Sequence, residues 1–173
     1  MVVDYRDLNG RTVKDRYSLP AVDETINMFK GANWFTKMDL QSGFHQVAIK
    51  EESRHKTAFR TRLGSYAWRV RPFGLCNAPS VFQRLMNRVL AENLNQFVIV
   101  YVDDIVIFSR SLEDHMKHIR WVLDALRKDD LKISWDKCEW ARRAVEFCGH
   151  RVSGDIVQTM PDKIERIANL ATP

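Results

Sequence analysis

Phe97-Val98-Ile99-Val100-Tyr101-Val102-Asp103-Asp104-Ile105-Val106-Ile107-Phe108 is the stretch that decides the fold. It consists of two apolar runs, rich in β-branched and aromatic residues, which are interrupted only by two adjacent carboxylates. Such runs are typical of buried strands, so the stretch predicts a hairpin with Asp103 and Asp104 at its tip. Two-residue hairpin turns favour Asn-Gly or Asp-Gly because they need positive φ. Turn geometry alone therefore does not explain these two residues.

Adjacent carboxylates suggest a cation site. They repel each other unless a proton or a cation lies between them, and hard oxygen ligands suit Mg²⁺ or Mn²⁺. The alternative is a solvated acidic turn, since Asp is a common turn former; the flanking apolar strands favour the metal site. Asp39, at the end of a predicted strand over 34–40, could cap a turn or supply a third carboxylate. Two-metal sites take carboxylates from separate elements.

Charge is concentrated in one segment. The 173 residues suit a single domain, with a hydrophobic fraction of 45% and a net charge of +5. The segment from Lys50 to Pro72 alone contains seven basic and two acidic residues, an excess that equals the net charge. A solvated charged face is the ordinary explanation. Here Phe59, Tyr66 and Trp68 lie among the cations, which favours nucleic acid as the partner.

The sequence predicts no membrane span and no signal peptide, because it has no apolar run of 18 residues and no apolar stretch near Met1. Its three cysteines indicate a reducing compartment. Cys138, Cys148 and His150 could be zinc ligands, but no second close pair completes a tetrahedral site. Buried free thiols are the preferred interpretation.

Periodicity and turn residues predict the other elements in chain order. They are a strand 2–5 closed by a turn 6–10, a helix 21–29, strand 34–40, a hairpin of 56–63 and 66–72 across Gly64-Ser65, a helix from Asn77 or Ser80 to about Leu94, the carboxylate hairpin, a helix capped by Ser111, strands 131–134 and 145–152, and a helix 161–170. This order predicts an α+β fold of the split βαβ kind, with helices on one face of an antiparallel sheet.

Two helices have predicted faces. In the first, Gln83, Arg84, Asn87 and Arg88 form a polar stripe opposite an apolar one (Val81, Phe82, Leu85, Met86, Val89 and Leu90). In the second, the predicted buried side consists of Leu112, Met116, Ile119, Val122, Leu123 and Leu126. His115 and His118 have a spacing that could suit a metal. Their charged neighbours make solvated histidines the preferred interpretation.

Five motifs, in order, give the chain its resemblance to a known family. They are Val3–Asn9, Asp39–Gln46, Phe73–Pro79, Tyr101–Asp104 and Phe147–His150. With them the chain resembles the reverse transcriptases of gypsy-type long-terminal-repeat retrotransposons, which are related to retroviral polymerases. Tyr101–Asp104 resembles the Tyr-x-Asp-Asp catalytic hairpin, and Phe147–His150 resembles the primer grip.

The resemblance implies a polymerase palm with partial fingers. Residues 33–49 and 73–155 would form the palm, 1–32 and about 50–72 parts of the fingers, and 156–173 the start of the thumb. The basic fingers residues expected upstream of Val2, and most of the thumb, fall outside this sequence. The resemblance also implies a longer polyprotein with RNase H and integrase, located in the cytoplasm within the virus-like particle of a mobile element.

The resemblance further implies roles for individual residues. Asp39, Asp103 and Asp104 would bind two Mg²⁺ or Mn²⁺ ions, and Lys137 would lie near the leaving pyrophosphate. Phe44, where many relatives have Tyr, would lie beneath the sugar of a deoxynucleoside triphosphate. The other nucleotide-binding positions would be Leu40, Gln41, Ser42, Gly43, Phe73 and Gly74. An RNA or DNA template with its primer would contact Arg60, Arg62, Arg84, Arg88, Tyr101, Cys148, Gly149 and His150.

Two rival functions are open. A non-catalytic nucleic-acid-binding module would explain the basic aromatic hairpin, but it would not explain Asp103 and Asp104, which place negative charge where phosphate must come. An inactive remnant of a mobile element is the second rival. Retention of all three carboxylates argues against decay at the site.

Overall fold

The computed structural model describes residues 3–17 and 20–159. In these residues the helices are α1 Arg6–Arg11, α2 Val22–Met28, α3 Glu51–Arg54, α4 Ala78–Val89 and α5 Leu112–Lys128. The strands are β1 Trp34–Asp39, β2 Phe59–Thr61, β3 Gly64–Tyr66, β4 Val98–Tyr101, β5 Asp104–Ser109, β6 Glu139–Arg142, β7 Val145–Phe147, β8 His150–Ser153 and β9 Ile156–Thr159. Short 3₁₀ turns cover Gly43–Gln46, His55–Thr57 and Trp135–Lys137.

The central sheet has four antiparallel strands in the order β4-β5-β1-β6. The β1–β5 ladder runs without a break from Trp34 opposite Ser109 to Asp39 opposite Asp104. Side chains along a strand alternate between the two faces of the sheet. Lys37 and Asp39 therefore share one face of β1, and Met38 lies on the other.

Helices α4 and α5 cover the Met38 face of this sheet. Apolar spacing along both helices gives each a stripe that must be buried, and the sheet supplies the matching surface. The buried residues of this layer are Met38, Leu40, Phe82, Met86, Leu90, Val98, Val100, Ile105, Ile107, Ile119, Val122, Leu126 and Leu131. This layer is the larger of the two cores.

The opposite face is also covered. Here α2 and the separate three-stranded sheet β7-β8-β9 pack on β1, β4 and β5. Phe29 lies at the centre, with its ring 5.9, 5.3 and 5.5 Å from the rings of Phe35, Phe108 and Phe147, in edge-to-face contacts. Such contacts add to the free energy of apolar burial. The sheet is therefore buried on both sides, and the carboxylates lie at one end of it.

The α+β class, the strand over 34–40, the buried carboxylate hairpin and the helix over 21–29 are confirmed. So is the cap of α5, where the Ser111 hydroxyl accepts a hydrogen bond from the Asp114 amide at 3.1 Å. The helix predicted over 161–170 lies outside the described residues, as does Val2.

The predicted strand at the start of the chain is wrong. Residues 3–5 are irregular, and the predicted turn over 6–10 is helix α1. Its Asn9 side chain donates to the Gly74 carbonyl at 2.7 Å and accepts from the Cys76 amide at 2.9 Å. Turn-forming residues thus serve here to fasten α1 to the loop before α4.

The predicted hairpin over 56–72 is shorter, and its turn lies two residues earlier. Strands β2 and β3 pair Thr61 with Gly64, so Arg62 and Leu63 form the turn. The Thr61 hydroxyl fixes it by accepting from the Leu63 amide at 3.1 Å and donating to the Gly64 carbonyl at 3.1 Å. Leu63, in this turn, is 88% exposed.

The two helix-face predictions need correction. Gln83, on the predicted polar stripe, is buried, and α4 ends at Val89 rather than near Leu94. On α5, Leu112 and Met116 are 45% and 54% exposed, whereas His115 is buried and takes the place on the sheet-facing side that the apolar pattern gave to them. The prediction of two solvated histidines is therefore wrong for His115, whose ring bonds to Thr36 and Ser109 at 2.8 Å each.

The C-terminal strands also differ from the prediction. Residues 131–134 contribute only the Leu40–Ile133 bridge, and β6 pairs with β1 instead. The single strand over 145–152 is two strands, because the chain reverses at Cys148-Gly149. Cys76, Cys138 and Cys148 form no disulfide with one another and are only partly buried. Among the described residues, no helix is long and apolar enough to cross a membrane.

Candidate active site

Three carboxylates come together at one end of the central sheet. Asp39 ends β1 and lies directly opposite Asp104, which begins β5. Asp103 precedes it in the turn that joins β4 to β5. Burial of the strands on both faces fixes this register, because a slip by one residue would turn every apolar side chain outward. The fold therefore brings together two segments that lie far apart in the sequence.

The turn itself is Val102-Asp103, not Asp103-Asp104, because Tyr101 pairs with Asp104. Val102 has φ of 53°, a left-handed conformation that is costly for a β-branched residue. The buried Gln83 on α4 supports it. Its Oε1 accepts from the Val102 amide at 2.9 Å, and its Nε2 donates to the Val100 carbonyl at 2.9 Å. The Gln83 side chain thus holds the backbone at Val100 and at Val102, on either side of Tyr101.

Negative charge accumulates at the turn. Partial burial, and then the charges of Asp104 and Asp39, raise the pKa of Asp103, although this residue remains largely exposed to solvent. Lys37 Nζ lies 2.8 Å from Asp104 Oδ2, and Lys137 Nζ lies 3.9 Å from Asp39 Oδ1. Two ammonium groups therefore partly balance three carboxylates. Within residues 3–17 and 20–159, no three Asp, Glu, His or Cys side chains are close enough to enclose an ion.

The loop after β1 leads away from Asp39 in a tight 3₁₀ turn. Ser42 has φ of 50°, and Gly43 lies so close to Phe82 that an added Cβ would be 3.0 Å from its ring. A side chain at position 43 would therefore require the Phe82 ring to shift by a few tenths of an ångström. Phe44 is half-buried, with its ring 5.5 Å from Phe82 and 5.6 Å from Phe73.

The remaining predicted nucleotide positions differ in what they expose. Leu40 is 4% exposed, so its side chain belongs to the core and only its main chain could face a ligand. Gln41 is exposed, and its main chain bonds to Lys132 and to the Gln46 side chain. Phe73 is 50% exposed, and the next residue, Gly74, is exposed with φ of 96°. These segments meet at the Phe44 ring, so the two motifs form one surface.

The turn at Cys148-Gly149 belongs to the same end of the molecule. Both residues have positive φ, 49° and 78°, which is the conformation of a type I′ hairpin turn. Phe147 packs against Tyr101 with ring centroids 5.5 Å apart, and Lys37 Nζ donates to the Glu146 carbonyl at 3.3 Å. The β7–β8 hairpin, which carries His150, therefore rests against the carboxylate hairpin.

The predicted nucleic-acid cations fall into two groups. Arg60 and Arg62 are exposed on the β2–β3 hairpin and pair with no carboxylate in the described part of the chain. Arg84 is held by Asp15 at 2.9 Å and packs over the Tyr17 ring, and Arg88 lies 3.7 Å from Asp129. Arg60 and Arg62 are thus the ones free to meet a phosphate.

A family model described as "Reverse transcriptase (RNA-dependent DNA polymerase)" matches residues 1–152. The chain belongs to the reverse transcriptase family. Its carboxylate hairpin, the loop after β1 and the loop before α4 all lie within the matched residues.

Relatives and solved structures agree with this reverse transcriptase assignment. The chain is 43% identical over all 173 residues to the retrovirus-related Pol polyprotein from transposon 297, and 38% identical to that from transposon gypsy, both of Drosophila melanogaster. It spans 16% and 17% of those relatives. A foamy viral protease-reverse transcriptase in complex with double-stranded DNA superposes with a TM-score of 0.88 at 24% identity, covering 100% of this chain and 30% of that one. The fold is therefore that of a reverse transcriptase.

Two residues that the structure brings to this candidate site are not predicted from the sequence. One is Lys37, whose position two residues before Asp39 places both side chains on one face of the strand. The other is Gln83, which the pattern assigns to a polar stripe. The spacing of Gln83 and Asn87, one helical turn apart and bonded at 2.9 Å, gave no sign that the helix side chain would reach a hairpin turn.

Proposed function

We propose that this chain carries the catalytic part of an RNA-directed DNA polymerase, which adds deoxynucleotides to a primer 3′-hydroxyl with the help of two divalent ions. The observation that supports it most is the direct opposition of Asp39 and Asp104 across β1 and β5, with Asp103 in the adjoining turn. Reverse transcriptases use divalent metal ions. The family assignment and the carboxylate geometry thus support the same chemistry.

The residues fit such ions. Carboxylate oxygens are hard ligands of the kind that Mg²⁺ and Mn²⁺ prefer. The pKa of Asp103 is raised by partial burial and by the charges of Asp104 and Asp39, so a cation beside these carboxylates would favour their ionised form. Asp39, Asp103 and Asp104 would hold the ions. Bound ions would lower the pKa of the attacking hydroxyl and neutralise the leaving pyrophosphate.

The chain's own groups would orient the reactants. The primer 3′-oxygen attacks the α-phosphorus, its proton leaves, and the bond to pyrophosphate breaks. Lys137, 68% exposed and 3.9 Å from Asp39, would bring an ammonium group to the departing pyrophosphate. Gln83 would keep the turn in place, because it bonds both the Val102 amide and the Val100 carbonyl. Base pairing with the template would select the incoming base.

The loop surface suits a deoxynucleoside triphosphate. Phe44, braced by Phe73 and Phe82, would lie beneath the sugar and exclude a ribose 2′-hydroxyl by its bulk. The main chains of Leu40, Gln41, Ser42 and Gly43, together with Phe73 and Gly74, would complete the binding surface. The alternative is an ordinary half-buried phenylalanine that only packs against the core.

Template and primer would bind on both sides of this surface. Arg60 and Arg62 would meet backbone phosphates from the β2–β3 hairpin, and Arg84 and Arg88 would contact the nucleic acid from α4. Tyr101 and the Cys148-Gly149-His150 turn would contact the primer. In this proposal residues 33–49 and 73–155 are the palm and 1–32 and about 50–72 belong to the fingers. The chain would work within a longer polyprotein that includes RNase H and integrase, in a virus-like particle.

Primer extension tests the proposal. The chain, extended at both ends by thumb and fingers sequence, should add deoxynucleotides to a DNA primer on an RNA template when Mg²⁺ or Mn²⁺ is present, and none with chelator. The same mixture without template is the control. Tight binding to the primer–template with no extension under any ion would favour the non-catalytic nucleic-acid-binding module instead.

A further inference from the structure

Lys37 makes the shortest ion pair with any of the three carboxylates. Its Nζ lies 2.8 Å from Asp104 Oδ2, and the two side chains are only 25% and 32% exposed. In the β1–β5 ladder Lys37 is opposite Val106 while Asp39 is opposite Asp104, so the pair crosses the ladder diagonally. The long lysine side chain spans this diagonal, and the ion pair belongs to the carboxylate end of the sheet.

The same ammonium group has a second anchor. It donates to the Glu146 carbonyl on β7 at 3.3 Å. The neighbours of Glu146 in the strand, Val145 and Phe147, are 3% and 0% exposed, so this carbonyl is held in a fixed position. Lys37 therefore joins the carboxylate hairpin to the hairpin that carries Cys148-Gly149.

The other lysine at the site differs from Lys37. Lys137 Nζ is 3.9 Å from Asp39 Oδ1, beyond hydrogen-bond distance, and its side chain is 68% exposed. An ion pair of this kind is screened by water and contributes little. Lys37 alone combines a charge-assisted hydrogen bond with partial burial, and such bonds are stronger than neutral ones.

An ammonium group in this position has two opposing effects. Without a metal ion, it offsets the repulsion among three neighbouring carboxylates and fixes the direction of the Asp104 carboxyl. When a metal ion arrives, the ammonium competes for Asp104 Oδ2, and its charge repels the incoming cation. The same residue should stabilise the ion-free site and weaken ion binding.

We infer that Lys37 is a positioning residue that takes the place of a divalent cation at Asp104 in the ion-free protein and sets the affinity of the site for that cation. This inference rests on the proposed function, since it presumes that Asp104 is an ion ligand. On ion binding, Asp104 turns from Lys37 to the ion, and the ammonium keeps its bond to the Glu146 carbonyl. The site is thereby aligned before the ion arrives.

Binding of Mn²⁺ to the 173-residue chain, measured from the free-ion electron paramagnetic resonance signal without nucleic acid, tests the inference. Lys37→Gln removes the charge and retains a donor, so Mn²⁺ should bind roughly fivefold or more tightly. The melting temperature of the ion-free variant should fall. Lys37→Arg keeps the charge and should bind Mn²⁺ like the unsubstituted chain. Lys117→Gln is the matched control, because it removes an ion pair of 2.8 Å to Glu113 on α5. It should leave the affinity for Mn²⁺ unchanged.

A double substitution locates the effect. In the Asp104→Asn background, Lys37→Gln should no longer tighten Mn²⁺ binding, because the competition is for the Asp104 carboxylate. Equal or weaker Mn²⁺ binding by Lys37→Gln alone would overturn the inference while leaving the proposed ion site intact. An unsubstituted chain that binds no Mn²⁺ would overturn both.

A measurement on the unsubstituted chain does not depend on how the variants fold. Titration with Mg²⁺ should move the side-chain NMR resonances of Lys37 and the carboxyl resonance of Asp104 together, with one midpoint. A Lys37 resonance that stays fixed while Asp104 saturates would show that the ion pair plays no part in ion binding, and the inference would be wrong.

Discussion

The β4–β5 and β2–β3 hairpins have the same topology but opposite surroundings. In β4–β5 every residue from Ile105 to Ser109 is buried, and the turn is fixed from outside by Gln83. In β2–β3 all of Gly64–Tyr66 is exposed, and the turn is fixed locally by the Thr61 hydroxyl. A buried hairpin can hold a strained turn and clustered charge because its neighbours determine its conformation. An exposed hairpin can present cations at little structural cost.

The comparison predicts that substitution of a single side chain in or beside the buried hairpin has a large effect. Asp39→Asn and Asp103→Asn, each made in the chain extended by thumb and fingers sequence, should reduce primer extension by more than roughly a thousandfold, or about 4 kcal/mol of barrier. Binding to primer–template should persist or tighten slightly, because negative charge is lost. Because the pKa of Asp103 is raised in the folded chain, Asp103→Asn should also stabilise the ion-free protein near neutral pH.

Asp124→Asn on the exposed face of α5 is the matched control, since it removes the same charge at a position outside the carboxylate cluster. Substantial extension by either site variant would place the chemistry elsewhere.

Phe44 packs against the core that also buries the β4–β5 hairpin. Experiment can distinguish two roles for its ring: a steric gate that excludes a ribose 2′-hydroxyl, or a core residue that only contributes stability. Phe44→Val should admit ribonucleotides if the ring excludes the 2′-hydroxyl. Emptying a core position should instead cost roughly 2–4 kcal/mol of unfolding free energy without changing sugar preference. Ribonucleotide against deoxynucleotide incorporation, measured beside the melting temperature, distinguishes the two. Phe44→Tyr keeps the bulk of the ring and should preserve the sugar preference. If Phe44→Val destabilises the chain and leaves the sugar preference unaltered, Phe44 is a core residue and not a steric gate.

His115 supports the far end of β5 through Ser109, and it should make the chain sensitive to acid. Burial, with a smaller contribution from the charge of His118, lowers the pKa of His115 to about 4. The unfolded chain would protonate this ring near pH 6.5, whereas the folded chain would not. Stability is therefore fully present above pH 6.5 and is lost as pH falls toward 4, by roughly 3 kcal/mol at most.

Urea unfolding at several pH values checks the expected effect of His115. His115→Gln should flatten the pH dependence of the unfolding free energy over this interval, and His55→Gln, at an exposed position, should leave it unchanged. An unaltered slope in His115→Gln would assign the acid sensitivity to another group.

The amide of Gln83 can be tested as the outside support of the turn. Gln83→Leu leaves the Val102 amide and the Val100 carbonyl without this partner, which should cost about 1–3 kcal/mol of unfolding free energy. Hydrogen exchange at the Val102 amide should quicken by more than exchange in β5. Gln96→Leu, which removes an exposed side-chain amide that donates to the Glu92 carbonyl, should have little effect. Unchanged exchange at Val102 would mean that the strands alone hold the turn.

Substitutions in the exposed β2–β3 hairpin should weaken nucleic-acid binding in small steps. Replacing Arg60 and Arg62 by Ala should weaken nucleic-acid binding and flatten the slope of log affinity against log salt by up to about 2, since each phosphate contact contributes about 0.9. Arg120→Ala with Arg127→Ala removes the same charge from α5 and should leave the slope nearly as it was. An equal change in both pairs would point to net charge rather than to a contact surface.

The same difference explains what the sequence could predict. The buried strands were predictable because long apolar runs permit few alternatives, and this fixed the position of Asp103 and Asp104 together with the opposing strand that ends at Asp39. The β2–β3 turn was placed wrongly because Gly64-Ser65 is a strong local signal. The Thr61 hydroxyl determines where the turn lies through its bonds to Leu63 and Gly64. A single hydroxyl produces no periodic pattern in the sequence.

Buried polar side chains were the other source of error. The sequence predicted a solvated His115 and assigned Gln83 to a polar stripe, because polar residues on amphipathic helices usually face solvent. Their partners, Val102 in one case and Thr36 and Ser109 in the other, lie 6 to 79 positions away along the chain. No local pattern reveals such pairs. Local reading was thus reliable for apolar burial and weak for long-range hydrogen bonds.

The alternation of faces along β1 has a consequence for how this segment can change in length. Asp39 and Lys37 face the site, while Met38 and Leu40 fill the core on the other side. Inserting or deleting one residue within Trp34–Asp39 would send the aspartate into the apolar layer and a methionine to the site, with every other side chain of the strand reversed. The two-residue loop at Arg62-Leu63 joins strands whose faces are mostly exposed, so it can lengthen at little cost. Among related sequences, insertions and deletions should therefore be absent from Trp34–Asp39 and concentrated at the Arg62-Leu63 turn.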